Sequence, residues 1–268
     1  MSEEAVGGRW RDLGVRFTSA AILIPAVLLD VWAGSWWFTG FIGLLTVLAA
    51  REYVRMTAPG NWVQLGLHAA AGLCATLPVP LLGPASAFSL ALALWVVSAA
   101  LYALEGRKDA FSLLGAGYVA LPGLALVALR DAPAHGSLAI YWLFAVVWSA
   151  DTFAYFFGRV IGGPKLWPAV SPKKTWAGLL GAVCGAMAAS LLVMWFAGAE
   201  ADFWLTAIAG FLGVVEQGGD LYESALKRRA GVKDSGSLIP GHGGLLDRVD
   251  GLLAAALAAW ILVVISGG

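Results

Sequence analysis

Long apolar runs follow one another from Phe17 to the C-terminus, rich in Ala, Leu and Val and without strict alternation. Hydrocarbon cannot satisfy an unpaired peptide group, so such runs must close their hydrogen bonds internally as helices, each needing about 20 residues to cross a bilayer. A mean hydropathy of +0.79 and a charged fraction of 13% argue against a water-soluble core. The expected fold is an all-α integral membrane protein.

Cutting the runs at charged, Gly or Pro positions predicts about nine transmembrane helices, roughly 17–33, 36–50, 63–82, 86–104, 111–129, 137–157, 175–197, 203–219 and 249–266. Lys and Arg in short loops accumulate on the cytoplasmic side. With the N-terminus inside, Arg9, Arg11, Arg16, Arg51, Arg55 and the later basic residues place sixteen of the seventeen Lys and Arg inside, leaving only Arg130 out. The topology expected is N-terminus cytoplasmic and C-terminus outside. Trp36, Trp37, Trp62 and Trp142, at run edges, are expected to anchor the interfaces. Residues 1–135 form a polar-poor half of five spans, and residues 136–268 a half of four spans with two long cytoplasmic loops that carries most of the chemistry. The protein is expected to be multi-pass in the cytoplasmic (inner) membrane, with a cytoplasmic site.

Cys74 and Cys184 both lie inside apolar runs, which offers no disulfide framework or metal motif and predicts two small buried hydrophobes. Arg9, Arg11 and Arg16 precede the first run as in a signal peptide, yet no small-residue cleavage site follows, so this reads as the first membrane helix. Net charge is zero, and no nucleic-acid partner is expected. The small-residue run Gly178 to Ala186 suits either a homodimer contact or packing within the chain.

Against this apolar background, Lys227 to Gly251 holds eight charged residues and six glycines in twenty-five positions. In GGDLYESALKRR, helical spacing puts Asp220, Glu223, Ser224 and Lys227 on one face. Two readings fit: a helix whose charges pair with each other above anionic lipid, or a carboxylate face for a hard cation beside a basic end for phosphate. In VKDSGSLIPGHGG, Gly236, Gly241, Gly243 and Gly244 with Pro240 forbid a regular helix and let backbone N–H groups converge on an anion. His242 there is a site residue whose role, proton carrier or phosphate donor, is open. In LLDRVDG, Asp247 and Asp250 share a face at the start of the last span. Capping explains one of them, while both with Asp220 make an oxygen-rich Mg²⁺ site. Upstream, Asp151 lies within a span, either functional or paired internally. Lys173 and Lys174 lead the next span, setting topology or meeting phosphate.

Ser224 to Asp250 resembles the phosphatidate cytidylyltransferase signature, S-x-x-K-R, K-D-x-G, then P-x-H-G-G-x-x-D-R-x-D, and GDLYES, DTFAYFFGR and SPKKT are similar to that family too. The likeness is close from about Trp148 onward. One departure is visible: where the family pattern runs K-T-x-E-G, this chain has Ala177. The resemblance implies transfer of the cytidylyl group of CTP to phosphatidate, giving CDP-diacylglycerol and pyrophosphate, with Mg²⁺ and room for a second cation. Asp220, Asp247 and Asp250 are then expected to hold metal. Lys227, Arg228, His242 and Arg248 would form the catalytic group, and Lys173, Lys174, Ser224, Asp151 and Lys233 would bind substrate, with membrane lipids around them. Rival classes are another lipid kinase or phosphotransferase, and an anion transporter, which would spread polar residues along several spans.

Overall fold

The computed structural model describes residues 21–22, 24–239 and 243–267. Arg9, Arg11 and Arg16, and Pro240, Gly241 and His242 of the Gly-rich loop, lie outside the described residues. Within them the protein is an all-α membrane protein with a single small hairpin. The helices are α1 Ile24–Ala33, α2 Ser35–Thr57, α3 Trp62–Thr76, α4 Val79–Leu104, α5 Ala110–Arg130, α6 Gly136–Val160, α7 Trp176–Phe196, α8 Phe203–Arg229 and α9 Leu246–Ser266. Five of them, α4, α5, α6, α7 and α9, are long and apolar enough to cross a membrane.

Boundaries shift where backbone chemistry intervenes. The run 63–82 divides, because α3 stops at Thr76 and α4 begins after Pro78, then kinks at Gly83, whose φ of 78° precedes Pro84. α2 continues beyond Ala50 to Thr57, so Arg51, Glu52 and Arg55 are helical rather than loop charges. The Lys/Ser-Pro connection between α6 and α7 is an antiparallel hairpin, β1 Lys165–Trp167 with β2 Ser171–Thr175, where a turn was expected. The Thr175 side chain then accepts from Gly178 N at 3.0 Å and starts α7.

α5 is the axis of the bundle. It contacts α2, α3, α4, α6 and α9, and small residues make that possible, as they do where membrane helices approach closely. A Cβ on Gly117 would lie 2.7 Å from the Trp95 ring, and one on Gly123 would lie 2.6 Å from Thr46 Cγ2. Gly181 and Gly185 do the same for α7 against α6, meeting Phe153 O at 2.6 Å and Ser149 O at 2.7 Å. These two glycines of the Gly178 to Ala186 run therefore serve packing within the chain. At the α8–α9 crossing, a Cβ on Gly219 would lie 2.7 Å from Asp250 O, and one on Gly251 would lie 2.7 Å from Glu216 Cγ. That crossing brings the acid-bearing turns of both helices together.

Two side-chain expectations are overturned. Trp142 is buried at 8% exposure and donates from Nε1 to Ser190 Oγ at 2.9 Å, so it ties α6 to α7 instead of anchoring an interface; Trp36, Trp37 and Trp62 are exposed. Cys184 is exposed and Cys74 half-buried, since an apolar thiol on an outward helix face meets hydrocarbon at no penalty.

Candidate active site

Three adjoining features are built from the α6–α9 half and the helices packed on it. The first is a cavity of about 550 Å³ whose wall includes Asp151 and Tyr155 of α6, Lys173 and Lys174 of β2, and Gln217 and Asp220 of α8. Its floor is the close approach of α6 and α7, where a Cβ on Gly178 would stand 3.0 Å from Ala154 O. Lys174 Nζ pairs with Asp220 Oδ2 at 2.7 Å and donates to Gln217 Oε1 at 2.7 Å. Ser224 Oγ donates to Asp220 Oδ1 at 3.2 Å, one helical turn on.

Acids gather around this cavity. Buried Glu216 neighbours Asp151, and the charges of Asp220 and Asp250 act on the same pocket. Glu216 was not anticipated from the sequence; it lies on the α8 face that meets α9, where a Cβ on Gly251 would stand 2.7 Å from its Cγ. The buried Tyr118 hydroxyl of α5, which has no hydrogen-bond partner among the described residues, also lies within reach of the charges of Asp250, Glu223 and Asp220. Like charges held this close require protons or cations between them, and hard oxygen donors are what Mg²⁺ prefers. Among the described residues, however, no three His, Cys, Asp or Glu side chains gather tightly enough to hold a metal ion as they stand. Asp220 and Asp247 each give an oxygen to a lysine.

The second feature is a knot at the start of α9. Asp247 Oδ1 accepts from Lys227 Nζ at 2.7 Å. Its Oδ2 accepts from Ser235 N at 2.9 Å, Ser235 Oγ at 3.0 Å and Gly244 N at 2.8 Å. Lys227 also pairs with the fully buried Glu223 of its own helix. Of the charges in GGDLYESALKRR, Lys227 and Glu223 pair with each other, while Asp220 faces the cavity. The converging backbone N–H groups of the Gly-rich loop are present too, but the anion they meet is the protein's own Asp247.

Arg248 marks the third feature, an apolar cavity of about 350 Å³ between α1, α2, α5, α6 and α9, with Phe41, Leu45, Leu126, Phe144 and Leu252 in its wall. Arg248 is on that wall, and its charge reaches Asp151 of the polar cavity. Trp148, also on the apolar wall, is one α6 turn before Asp151. The walls of the two cavities are thus one helical turn apart along α6.

Of the residues singled out in the sequence, Asp151, Lys173, Lys174, Ser224 and Asp220 come together at the polar cavity, with Asp250 behind them. Lys227 and Asp247 meet in the knot, and Arg248 is in the wall of the apolar cavity. Arg228 and Lys233 are exposed and line neither cavity.

The profile of the cytidylyltransferase family matches residues 14–266. The chain is 37% identical over 252 residues to the phosphatidate cytidylyltransferase of Brucella abortus biovar 1 (strain 9-941), covering 93% of each chain. It is 33% identical over 221 residues to that of Staphylococcus epidermidis (strain ATCC 12228 / FDA PCI 1200), covering 81% of this chain and 76% of the relative. With that of Staphylococcus saprophyticus the identity is 40% over 151 residues, 54% of this chain and 58% of the relative.

Proposed function

The chain belongs to the cytidylyltransferase family, and from that premise we propose that it transfers the cytidylyl group of CTP to phosphatidate, giving CDP-diacylglycerol and pyrophosphate. The observation that carries this reading is a lysine- and carboxylate-walled cavity lying one α6 turn from an apolar one that has Arg248 in its wall. One substrate is wholly polar and the other has a polar head on apolar chains. A kinase or phosphotransferase reading is not favoured by the relatives, and a transporter would have no use for a carboxylate cluster at one end of the bundle.

In the reaction, a phosphate oxygen of phosphatidate forms a bond to the α-phosphorus of CTP, and the bond from that phosphorus to the β-phosphate oxygen breaks to release pyrophosphate. The nucleophile is already an anion, so no base is required. What the chain must supply is positioning and charge neutralisation, the main levers in phosphoryl chemistry. Lys173 and Lys174 hold the CTP phosphates in the polar cavity. Arg248 holds the phosphatidate head, with the acyl chains in the apolar cavity. Lys227 adds positive charge beside Asp247, and Ser224 supports Asp220. Asp220, Asp247 and Asp250 would hold Mg²⁺, which when bound would screen the two anionic substrates from each other and stabilise charge on the departing pyrophosphate. The Asp151–Glu216 pair would leave room for a second cation.

This site faces the cytoplasm in an inner membrane, with nine spans and the N-terminus inside, a reading supported by sixteen of seventeen Lys and Arg falling on one side. The test is CDP-diacylglycerol formation by the purified protein in mixed micelles of phosphatidate and detergent, with CTP, with and without Mg²⁺. Mg²⁺-dependent product is expected; a folded protein that makes none under any divalent cation would overturn the reading.

A further inference from the structure

Glu52 is the one charged residue of the N-terminal half that reaches the Gly-rich loop in the described contacts. It is 7% exposed, on the same α2 face as Ala49 and Tyr53, whereas Arg51 and Arg55 point outward. Its Oε1 accepts from Leu245 N at 2.9 Å, and its Oε2 accepts from Leu246 N at 2.9 Å and Ser235 Oγ at 2.8 Å. Leu245 and Leu246 begin α9, whose first turn has no side-chain cap of its own. A carboxylate aimed at that helix N-terminus answers both its unpaired N–H groups and its dipole.

The loop is shaped around this carboxylate. A Cβ on Gly236 would lie 2.6 Å from Glu52 Oε1, and one on Gly244 would lie 2.6 Å from Oε2 and 2.1 Å from Ser235 Oγ. Two glycines that read as phosphate-binding in the sequence are therefore needed for the loop to close over Glu52. Ser235 then relays the contact. Its single hydroxyl proton lies between Glu52 Oε2 at 2.8 Å and Asp247 Oδ2 at 3.0 Å. Glu52 thus fixes the start of α9, the loop that folds onto it, and through Ser235 the carboxylate of Asp247.

We propose that Glu52 is a positioning residue for the cytidylyl transfer: it sets the phase of α9 and the closure of the loop, so that Asp247 and Asp250 present their carboxylates toward the substrates. The proposal rests on the function given above. A buried acid that only fastens the two halves together would affect stability alone; a positioning residue controls turnover in the folded protein.

Two variants separate these roles. Glu52→Gln keeps the shape but turns an NH2 group toward Leu246 N–H or Leu245 N–H, donor against donor. Ser235→Ala removes only the relay. Each is measured for kcat, for KM of CTP and of phosphatidate, for thermal unfolding, and for hydrogen–deuterium exchange of peptides spanning 232–248. For Glu52→Gln, kcat is expected to fall about 10- to 100-fold, the cost typical of losing a residue that orients a site ligand. Both KM values should change by less than about twofold, and exchange should quicken in 232–248 and not in α4 or α7. Ser235→Ala should lower kcat several-fold with the same exchange signature, and it decides the matter if Glu52→Gln does not fold. Wild-type kcat and wild-type exchange in a folded Glu52→Gln, or in Ser235→Ala where the first variant is lost, overturns the proposal. A wild-type protein that makes no CDP-diacylglycerol sinks the functional reading instead, while the exchange measurement still tests whether Glu52 holds the loop.

Discussion

Two acid sites in this protein use the same chemical group in opposite ways. Glu52, in the N-terminal half, is saturated by donors of the chain itself, two backbone N–H groups and one hydroxyl. Asp220 and Asp151, in the C-terminal half, line an open cavity, and their neighbours include other acids and Lys174. An acid whose capacity is used internally specifies structure, because removing it strands several donors. An acid left among like charges is costly to the fold and useful to an anionic ligand or its cation. The same contrast extends to the neutral polar residues: Gln64 and Ser98 bond each other inside the first half, whereas Gln217 and Ser224 bond the acids and lysine of the site.

The comparison breaks most sharply at Asp250. Asp250→Asn should abolish CDP-diacylglycerol formation, a loss of at least about 100-fold, beyond what residues one layer removed from a ligand cost, while the melting temperature stays the same or rises as like-charge repulsion is relieved. Retained activity would take Asp250 out of the set that holds the cation. Lys174→Met comes next. It deprives Asp220 of its partner and the cavity of one cation, so KM for CTP should rise roughly tenfold, the value of about 1.4 kcal/mol of lost phosphate contact; a change in KM for phosphatidate alone would reverse the assignment of the two cavities. A third, smaller effect belongs to the apolar cavity: Leu126→Trp fills part of its roughly 350 Å³ and should lower turnover of long-chain phosphatidate several-fold while sparing a short-chain analogue.

The chemistry-bearing half was the more legible one. Asp220, Ser224, Asp247 and Asp250 fall at helical spacings in a polar island, and a polar island in an apolar chain is conspicuous. The local pattern did not reveal which acid each cation would choose, because Lys227 joins Asp247 across 20 residues and Lys174 joins Asp220 across the α7 helix. Glu52 was hidden among Arg51 and Arg55 and passed as part of a loop. Separating α2 by face would have found it, since Glu52 falls with Ala49 and Tyr53 on the buried side. Trp142 misled for the converse reason. A tryptophan near a run edge looks interfacial until a partner such as Ser190 appears from a helix 48 residues away.

The smallest effect is the one that checks the quiet half. Gln64 of α3 and Ser98 of α4 are buried at 0% and 1% exposure; Ser98 Oγ donates to Gln64 Oε1 at 2.7 Å, and Gln64 Nε2 donates to Ser98 O at 3.2 Å. Gln64→Leu strands the serine hydroxyl and should cost about 1–3 kcal/mol of stability, the penalty of an unsatisfied buried group. Adding Ser98→Ala removes the stranded hydroxyl, and the carbonyl of Ser98 keeps its place in the helix, so the double variant should recover most of that loss. Neither should alter kcat or either KM by more than about twofold, because no hydrogen bond described here joins this pair to the cavities. Thermal unfolding in detergent and steady-state kinetics on the same preparations measure both. A fall in kcat at unchanged stability would mean that the N-terminal half takes part in catalysis through more than Glu52, and the division between its internally satisfied polar groups and the open site would have to be redrawn along α3 and α5.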